Sequence, residues 1–415
     1  MEFFQKFTKN KILPIIAFTL ALRIIFVWIY FDFSSESNYL EYGNIAKNIV
    51  AGKGFSLFYL NQDKIEFNAS ENSKPVPSAY MPPAYLAVIL PFFTIKSIIL
   101  RNIALLIFNI LLSLFSVYLI FRVTNHAFNE RVALLSAILY SIFPDFIYIV
   151  ATIGPTLIYH ILILLLIYNL SKIESVWNYK HTFVIALICA ILPLFRSEFI
   201  VFNLFLAFYM VYRKKWLNAL LIALFSILAL LPWQLRNYYT FNKIIPLTSA
   251  SGINLYRGNN PYYDAFWEDD KIAITLKEIP MNKNFEIARD SVFMSEALKS
   301  IKSKGISGNL LNIITKEFHL WVGNPFDRKN SNIFYYIPWM LALVLLIIGV
   351  VKNFSFNKYQ YFYLFMIYHS LIAAIFFVIQ RYQTLMKPLL LPFISLGAIY
   401  FYDKYLQFKR KSKIS

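Results

Sequence analysis

The sequence predicts an all-α polytopic membrane protein of about ten spans, with a helix lying beside the membrane and an outer cap. Three observations predict it. Of 415 residues, 59% are hydrophobic and 15% charged, whereas a soluble domain is roughly half apolar and about a quarter charged. Apolar runs at 12–31, 101–121, 216–235, 334–351 and 384–402 approach the roughly 20 residues with which a helix crosses hydrocarbon. Charge is also asymmetric: segments 32–80 and 236–332 together contribute +1 of the net +18. Such repeated spans must be helical, because unpaired backbone in lipid costs several kcal/mol per group.

The first run continues into Trp28, Tyr30 and Phe31 without a small-residue cleavage site, so it is expected to stay attached. The single Cys189 excludes intrachain disulfides. Scattered basic residues, not gathered with stacking aromatics on a soluble unit, argue against nucleic acid. Lys6, Lys9 and Lys11 before the first span and Lys404, Lys409, Arg410, Lys411 and Lys413 after the last place both ends in the cytoplasm. Lys172 with Lys180, Arg213 to Lys215, and Lys352 with Lys358 mark further inner turns. The near-neutral segments belong outside. Spans at 131–150, 154–170, 181–195, 198–212 and 359–380 bring the count to ten, the last run reaching 403, and parity makes 82–95, which opens Pro82-Pro83, a non-crossing helix. Four regions follow: an N-terminal bundle over 1–235 with a first outer loop 32–100, a cap over 236–332, membrane helices over 333–403, and a basic tail over 404–415.

In the first outer loop, Asn38, Glu41, Tyr42, Ile45, Ala46 and Ile49 share one side of a short helix stopped by Gly52-Lys53-Gly54. A carboxylate there, Glu41 or Glu36, is placed to take a proton from an incoming hydroxyl or amine. Asn38 with Glu41 three residues later is equally a capping box. Lys74 through Tyr80-Met81-Pro82-Pro83-Ala84-Tyr85 combines a candidate phosphate ligand with headgroup-level tyrosines. Asp145, beside Pro144 within a span, is expected to face a cavity or a partner, since carboxylates in spans avoid lipid.

Arg196 and Glu198 share an outer turn, where an arginine can fork phosphate oxygens. Arg236, after Pro232-Trp233-Gln234-Leu235, is placed to meet a lipid phosphate. Ser251 to Pro261 reads as turn-rich strand or coil, with Arg257, Asn259 and Asn260 as ligands for a polar head. Asn284–Ser303 and Leu310–Trp321 read as helices of a small cap. Arg381-Tyr382 and Lys387 begin the last span, as phosphate ligands or as snorkelling anchors. His160 and His369 are isolated in apolar helices and read as polar packing.

At these outer motifs the chain resembles the polyprenyl-phosphate-dependent membrane glycosyltransferases, the C-type fold that includes bacterial aminoarabinose transferases and protein O-mannosyltransferases. The resemblance covers most of the chain. It rests on Tyr42, Ala46 and Gly52 to Phe55, Tyr80 to Tyr85, Pro144, Arg196-Ser197-Glu198, Pro232 to Tyr238 with Gly252 to Pro261, and Arg381-Tyr382. It implies an outward-facing site in the bacterial plasma membrane that moves a sugar from a lipid-linked phosphate to a lipid, protein or envelope-glycan acceptor. Relatives carry an Asp four residues before the tyrosine matched by Tyr42; this chain has Asn38 there, and Gly154-Pro155-Thr156 where many place a second acid. The base is therefore expected at Glu41, then Glu36, then Asp145, with Arg196, Arg236, Arg381 and Lys74 on the donor phosphate. Asn38, Tyr42, Tyr80, Tyr85, Glu198, Arg257, Asn259, Asn260 and Tyr382 are expected around the sugar or acceptor. No visible cluster requires a divalent metal, though the sequence leaves room for one. The alternatives are a noncatalytic binding or assembly protein and a transporter of a lipid-linked substrate.

Overall fold

The computed structural model describes residues 11–37, 39–62, 64–67, 70, 73–175, 179–261, 270–325, 327 and 332–412. The described chain is a polytopic helical bundle. Its helices, in chain order, are α1 (Ile12–Tyr30), α2 (Leu40–Val50), α3 (Ala84–Phe93), α4 (Ile98–Ala127), α5 (Glu130–Ile142), α6 (Pro144–Tyr148), α7 (Thr156–Ser175), α8 (Tyr179–Phe195), α9 (Phe199–Tyr212), α10 (Trp216–Phe241), α11 (Ser251–Asn259), α12 (Asp270–Lys277), α13 (Phe285–Trp321), α14 (Ile333–Lys352), α15 (Phe356–Ile375) and α16 (Gln380–Lys411).

The apolar runs read as spans fall on these helices, except that 131–150 is broken between α5 and α6 and 359–380 runs past the end of α15. Six are long and apolar enough to cross a membrane (α1, α4, α7, α10, α14 and α16), and a bent α5–α6 pair makes seven. α8 and α9 are apolar but shorter. α3 is shorter still, with ten residues, roughly 15 Å of helix against about 30 Å of hydrocarbon. Outward-facing Phe208, Leu220, Leu341 and Ile347 are more than half exposed, as lipid-facing side chains must be.

The α5–α6 bend of 59° has a covalent cause and a polar remedy. Pro144 lacks an N–H, so the last carbonyls of α5 lose their helical donors. Arg23, fully buried in α1, supplies them: Nη1 donates to the Ser141 carbonyl at 2.8 Å and Nη2 to that of Tyr140 at 3.2 Å. Its Nε donates to Ser113 Oγ at 3.3 Å. A guanidinium inside the bundle is tolerated because the broken backbone needs donors there.

α14 and α16 pack with their backbones almost touching. A Cβ at Gly349 would run into the Phe393 carbonyl oxygen, and one at Gly397 into that of Leu345. Small residues permit such crossings in lipid, where association rests on van der Waals packing. Gly349→Leu should therefore destabilise the protein by about 1–3 kcal/mol, seen as a lower Tm in detergent; an unchanged Tm would refute the close crossing.

Two local readings are corrected. The first outer loop holds a small antiparallel sheet, order β2-β1-β3, formed by β1 (Ser56–Asn61), β2 (Lys64–Glu66) and β3 (Lys74–Pro77). Ser251–Asn259 is helical, not strand or coil, because Ile253 and Tyr256 pack on Phe293 and Ala297 of α13. α13 spans both expected cap helices and breaks at Gly305, φ 63°.

Lys316, on the second arm of α13, donates to Asn259 Oδ1 and the Ile375 carbonyl, each at 3.3 Å. Burial first, then repulsion from Lys304, pulls its ammonium from 10.5 down to about 8. Between these values the unfolded chain holds a proton that the folded chain has released. Stability should thus rise with pH through that window, the penalty being fully present below pH 8. Lys316→Met should flatten the rise in Tm, and an equal slope in the variant would assign it elsewhere.

Candidate active site

A cavity of about 550 Å³ opens where the first outer loop, the turns between membrane helices and the cap meet. α2 forms its rim. The helix begins at Leu40, whose φ of 45° is the left-handed region that disfavours a branched side chain. Glu41 becomes the second helical residue, and the cap residue is Tyr39, which makes no side-chain capping bond. Glu41 therefore does not sit at the capping-box position. Asn38 lies outside the described residues.

Glu41 lines the cavity half-buried, and among the described residues no hydrogen bond or ion pair engages it. Tyr42 is buried beside it with its ring edge-on to Tyr85 at 5.0 Å. Burial pushes the Tyr42 phenol up, so it stays neutral and can donate a hydrogen bond.

The facing wall is cationic. Arg196, between α8 and α9, forks Glu198 Oε1 through Nε at 2.6 Å and Nη2 at 2.5 Å, with its guanidinium 5.5 Å from the Tyr382 ring centre. Arg257 stacks on Phe377 at 3.8 Å. Gly258 makes that stacking possible: a Cβ there would collide with the Phe376–Phe377 peptide. Arg381 at the start of α16 is exposed to the cavity, and no hydrogen bond or ion pair binds it among the described residues. Three arginines against Glu41 and Glu198 give this lining a formal charge of +1, which suits a phosphate. Tyr80, Thr248, Asn254, Tyr148 and Thr152 supply further polar edges.

The cavity thus gathers Glu41, Tyr42, Tyr80, Arg196, Glu198, Arg257, Arg381 and Tyr382 from the sequence expectations. The others lie elsewhere, each for a physical reason. Glu36 bridges Lys47 at 2.8 Å and Arg101 at 3.1 Å, pinning the loop to α4. Asp145 is buried against Lys387 Nζ at 2.5 Å and accepts from Thr384 Oγ1 at 3.1 Å. Lys387 in turn lies 4.5 Å from the Trp339 ring centre, so neither group faces donor or acceptor. Arg236 donates to the carbonyls of Ser78 at 2.6 Å and Phe55 at 3.0 Å and packs against Phe55, Trp233 and Phe241. It clamps the loop to α10 rather than meeting lipid phosphate. Lys74 is exposed on the edge strand β3. Tyr85 supports Tyr42 from behind. Asn259 donates to the Leu255 and Ile375 carbonyls, both at 2.8 Å, and the Asn260 carbonyl accepts from Lys304 at 2.7 Å.

One residue that anchors the rim escaped the sequence reading. Glu286, fully buried at the start of α13, accepts from the Ala79 N–H at 3.0 Å and Ser249 Oγ at 2.8 Å, joining first loop, middle loop and cap. Burial pushes its carboxyl up. Nothing in its sequence distinguishes it from a solvent-facing acid in a first helical turn.

Among the described residues, no three His, Cys, Asp or Glu side chains gather to hold a metal ion. In the cavity Glu198 is bound by Arg196 and only Glu41 remains, a poor donor set for a divalent cation that takes six or more oxygens. His160 hydrogen-bonds Tyr140 at 3.0 Å and the Thr384 carbonyl at 2.9 Å, and His369 contacts the Phe365 carbonyl at 3.2 Å.

No family model matches the chain, and no curated protein matches it significantly. Solved structures do. The archaeal oligosaccharyltransferase AglB from Archaeoglobus fulgidus, in complex with an inhibitory peptide and a dolichol-phosphate, aligns with 99% of this chain and 52% of its own at 11% identity, TM-score 0.55. The Archaeoglobus fulgidus oligosaccharyltransferase complexed with Zn and sulfate aligns over 95% of this chain and 49% of its own, also at 11% and 0.55. ArnT from Cupriavidus metallidurans bound to undecaprenyl phosphate covers 91% of this chain and 76% of its own at 11% identity, with a TM-score of 0.37 that carries no argument. The chain spans about half the length of the archaeal enzyme. At such identity the likeness is one of fold: the chain is a polytopic helical membrane protein that shares the fold of the archaeal oligosaccharyltransferase.

Proposed function

We propose that the protein transfers a sugar from a polyprenyl-phosphate-linked donor to a lipid, protein or glycan acceptor at the outer face of the bacterial plasma membrane. The observation that carries this reading is the pairing of Glu41, a carboxylate without a partner among the described residues, with an arginine wall at one cavity. The shared fold supports the same reaction class. About ten crossings, both ends inside and residues 236–332 as a cap complete the reading, with α8, α9 and α15 crossing as short or bent spans.

Glu41 takes the proton of the acceptor hydroxyl or amine as its oxygen or nitrogen bonds to the anomeric carbon. The bond from that carbon to the phosphate oxygen breaks, and polyprenyl phosphate leaves with the electron pair. Arg381 and Arg257 stabilise the charge that develops on it, while the Arg196–Glu198 pair fixes the wall. Tyr42 and Tyr80 flank the sugar.

In cells lacking the protein, mass spectrometry should find one lipid-linked sugar accumulating and one surface glycan missing that sugar. Unchanged pools of both would overturn the reading.

A further inference from the structure

A second cavity, of about 460 Å³, lies far from the first and is lined by Phe121, Arg122, Asn125, His126, Tyr168 and Lys172. Its depth follows from helix rise. On α7, Thr156 lines the outer cavity, and Tyr168 and Lys172 come 12 and 16 residues later, roughly 18 and 24 Å along the axis. On α4, the Asn109 side chain donates to the Val150 and Thr152 carbonyls beside the outer cavity, and Arg122 follows 13 residues on, roughly 20 Å further. The second cavity therefore opens at the opposite membrane face. The same face carries the Lys11–Glu130 pair.

Snorkelling cations normally splay apart into water. Here Arg122 of α4 converges with Lys172 of α7 on one cavity, beside the His126 ring, and the lining, among the described residues, has no carboxylate. Aromatic rings orient them. Arg122 Nη1 donates to Tyr118 Oη at 3.4 Å, Lys172 lies 5.5 Å from the Tyr168 ring centre, and the His126 ring lies 5.5 Å from the same ring.

A second observation indicates what lies beside these charges. Ile107, Leu111, Phe115 and Tyr118 recur at helical spacing above Arg122, and they are 54, 58, 43 and 37% exposed. This is an outward apolar stripe about 20 Å long that ends on a guanidinium. An acyl chain laid along the stripe delivers its headgroup phosphate to Arg122. A free anion would have no use for it.

We propose that this cavity binds the phosphodiester headgroup of an anionic phospholipid in the leaflet opposite the active site. Basic pockets between membrane helices suit such headgroups, each cation near the surface strengthening binding roughly fivefold. The full-length protein, purified in detergent, is titrated with phosphatidylglycerol or with phosphatidylcholine of the same acyl chains, and bound lipid is counted by native mass spectrometry. The wild type should prefer phosphatidylglycerol. Arg122→Gln should weaken that binding about fivefold, and Arg122→Gln with Lys172→Gln about 30-fold. Arg122 is exposed, so Tm should hold in the single variant, keeping the test valid if the double variant misfolds. Lys352→Gln with Lys358→Gln, which removes equal charge elsewhere, should change binding little. Equal retention of both lipids, equal loss in the control pair, or displacement of the lipid by millimolar inorganic phosphate would overturn the proposal.

Discussion

Replacing Glu41 with glutamine should slow sugar transfer by about 10²–10⁴-fold, the range a positioned general base supplies. The amide keeps the shape and one acceptor oxygen but cannot hold the acceptor's proton. In the proposed reaction the donor phosphate is held on the opposite wall by Arg381 and Arg257, so the loss should fall on kcat with donor KM little changed. The comparison that isolates the role is Glu36→Gln. Glu36 is bound by Lys47 and Arg101 and lies off the cavity, so that variant should retain most of the rate. Equal losses in the two variants would move the effect from chemistry to loop placement.

Asp145→Ala should destabilise the fold by about 3–5 kcal/mol, because it strands the Lys387 ammonium inside the bundle. Both side chains are 1% exposed, and they meet at 2.5 Å. The pair also holds Thr384, which lines the cavity one turn along α16 from Arg381. Removing both charges, as Asp145→Ala with Lys387→Met, should recover most of the lost Tm, since no charge is then left unpaired inside the bundle. Additive losses in the double variant would mean that the two residues act separately.

The bundle was legible because lipid imposes one rule on every span: about 20 apolar residues with the backbone satisfied internally. Parity of charge singled out 82–95 as the segment that does not cross, and it forms the ten-residue α3. Glu41, Arg196 and Arg381 were recognisable as charges at outer helix ends and Arg257 as one in a turn-rich segment, and the fold brings them to one cavity. Long-range pairing was not legible. Asp145 and Lys387 are 242 residues apart, and their opposite charges in apolar runs were a usable hint that they neutralise each other. Arg236 and Asn259 failed as ligands because backbone carbonyls of distant segments consume their donors. The strands of the first-loop sheet are only three to six residues long, too short to set a clear alternation, and Arg236 holds the flanking carbonyls of Phe55 and Ser78.

The most direct test combines donor, enzyme and base in one assay. Lipid-linked sugar extracted from cells lacking the protein is mixed with wild-type or Glu41→Gln protein in vesicles, together with envelope glycan from those cells, and released polyprenyl phosphate is measured. The wild type should release it with matching transfer of the sugar, and the variant should be at least about 100-fold slower. No release by the wild type, or equal release by the variant, would contradict a sugar transferase that works through Glu41.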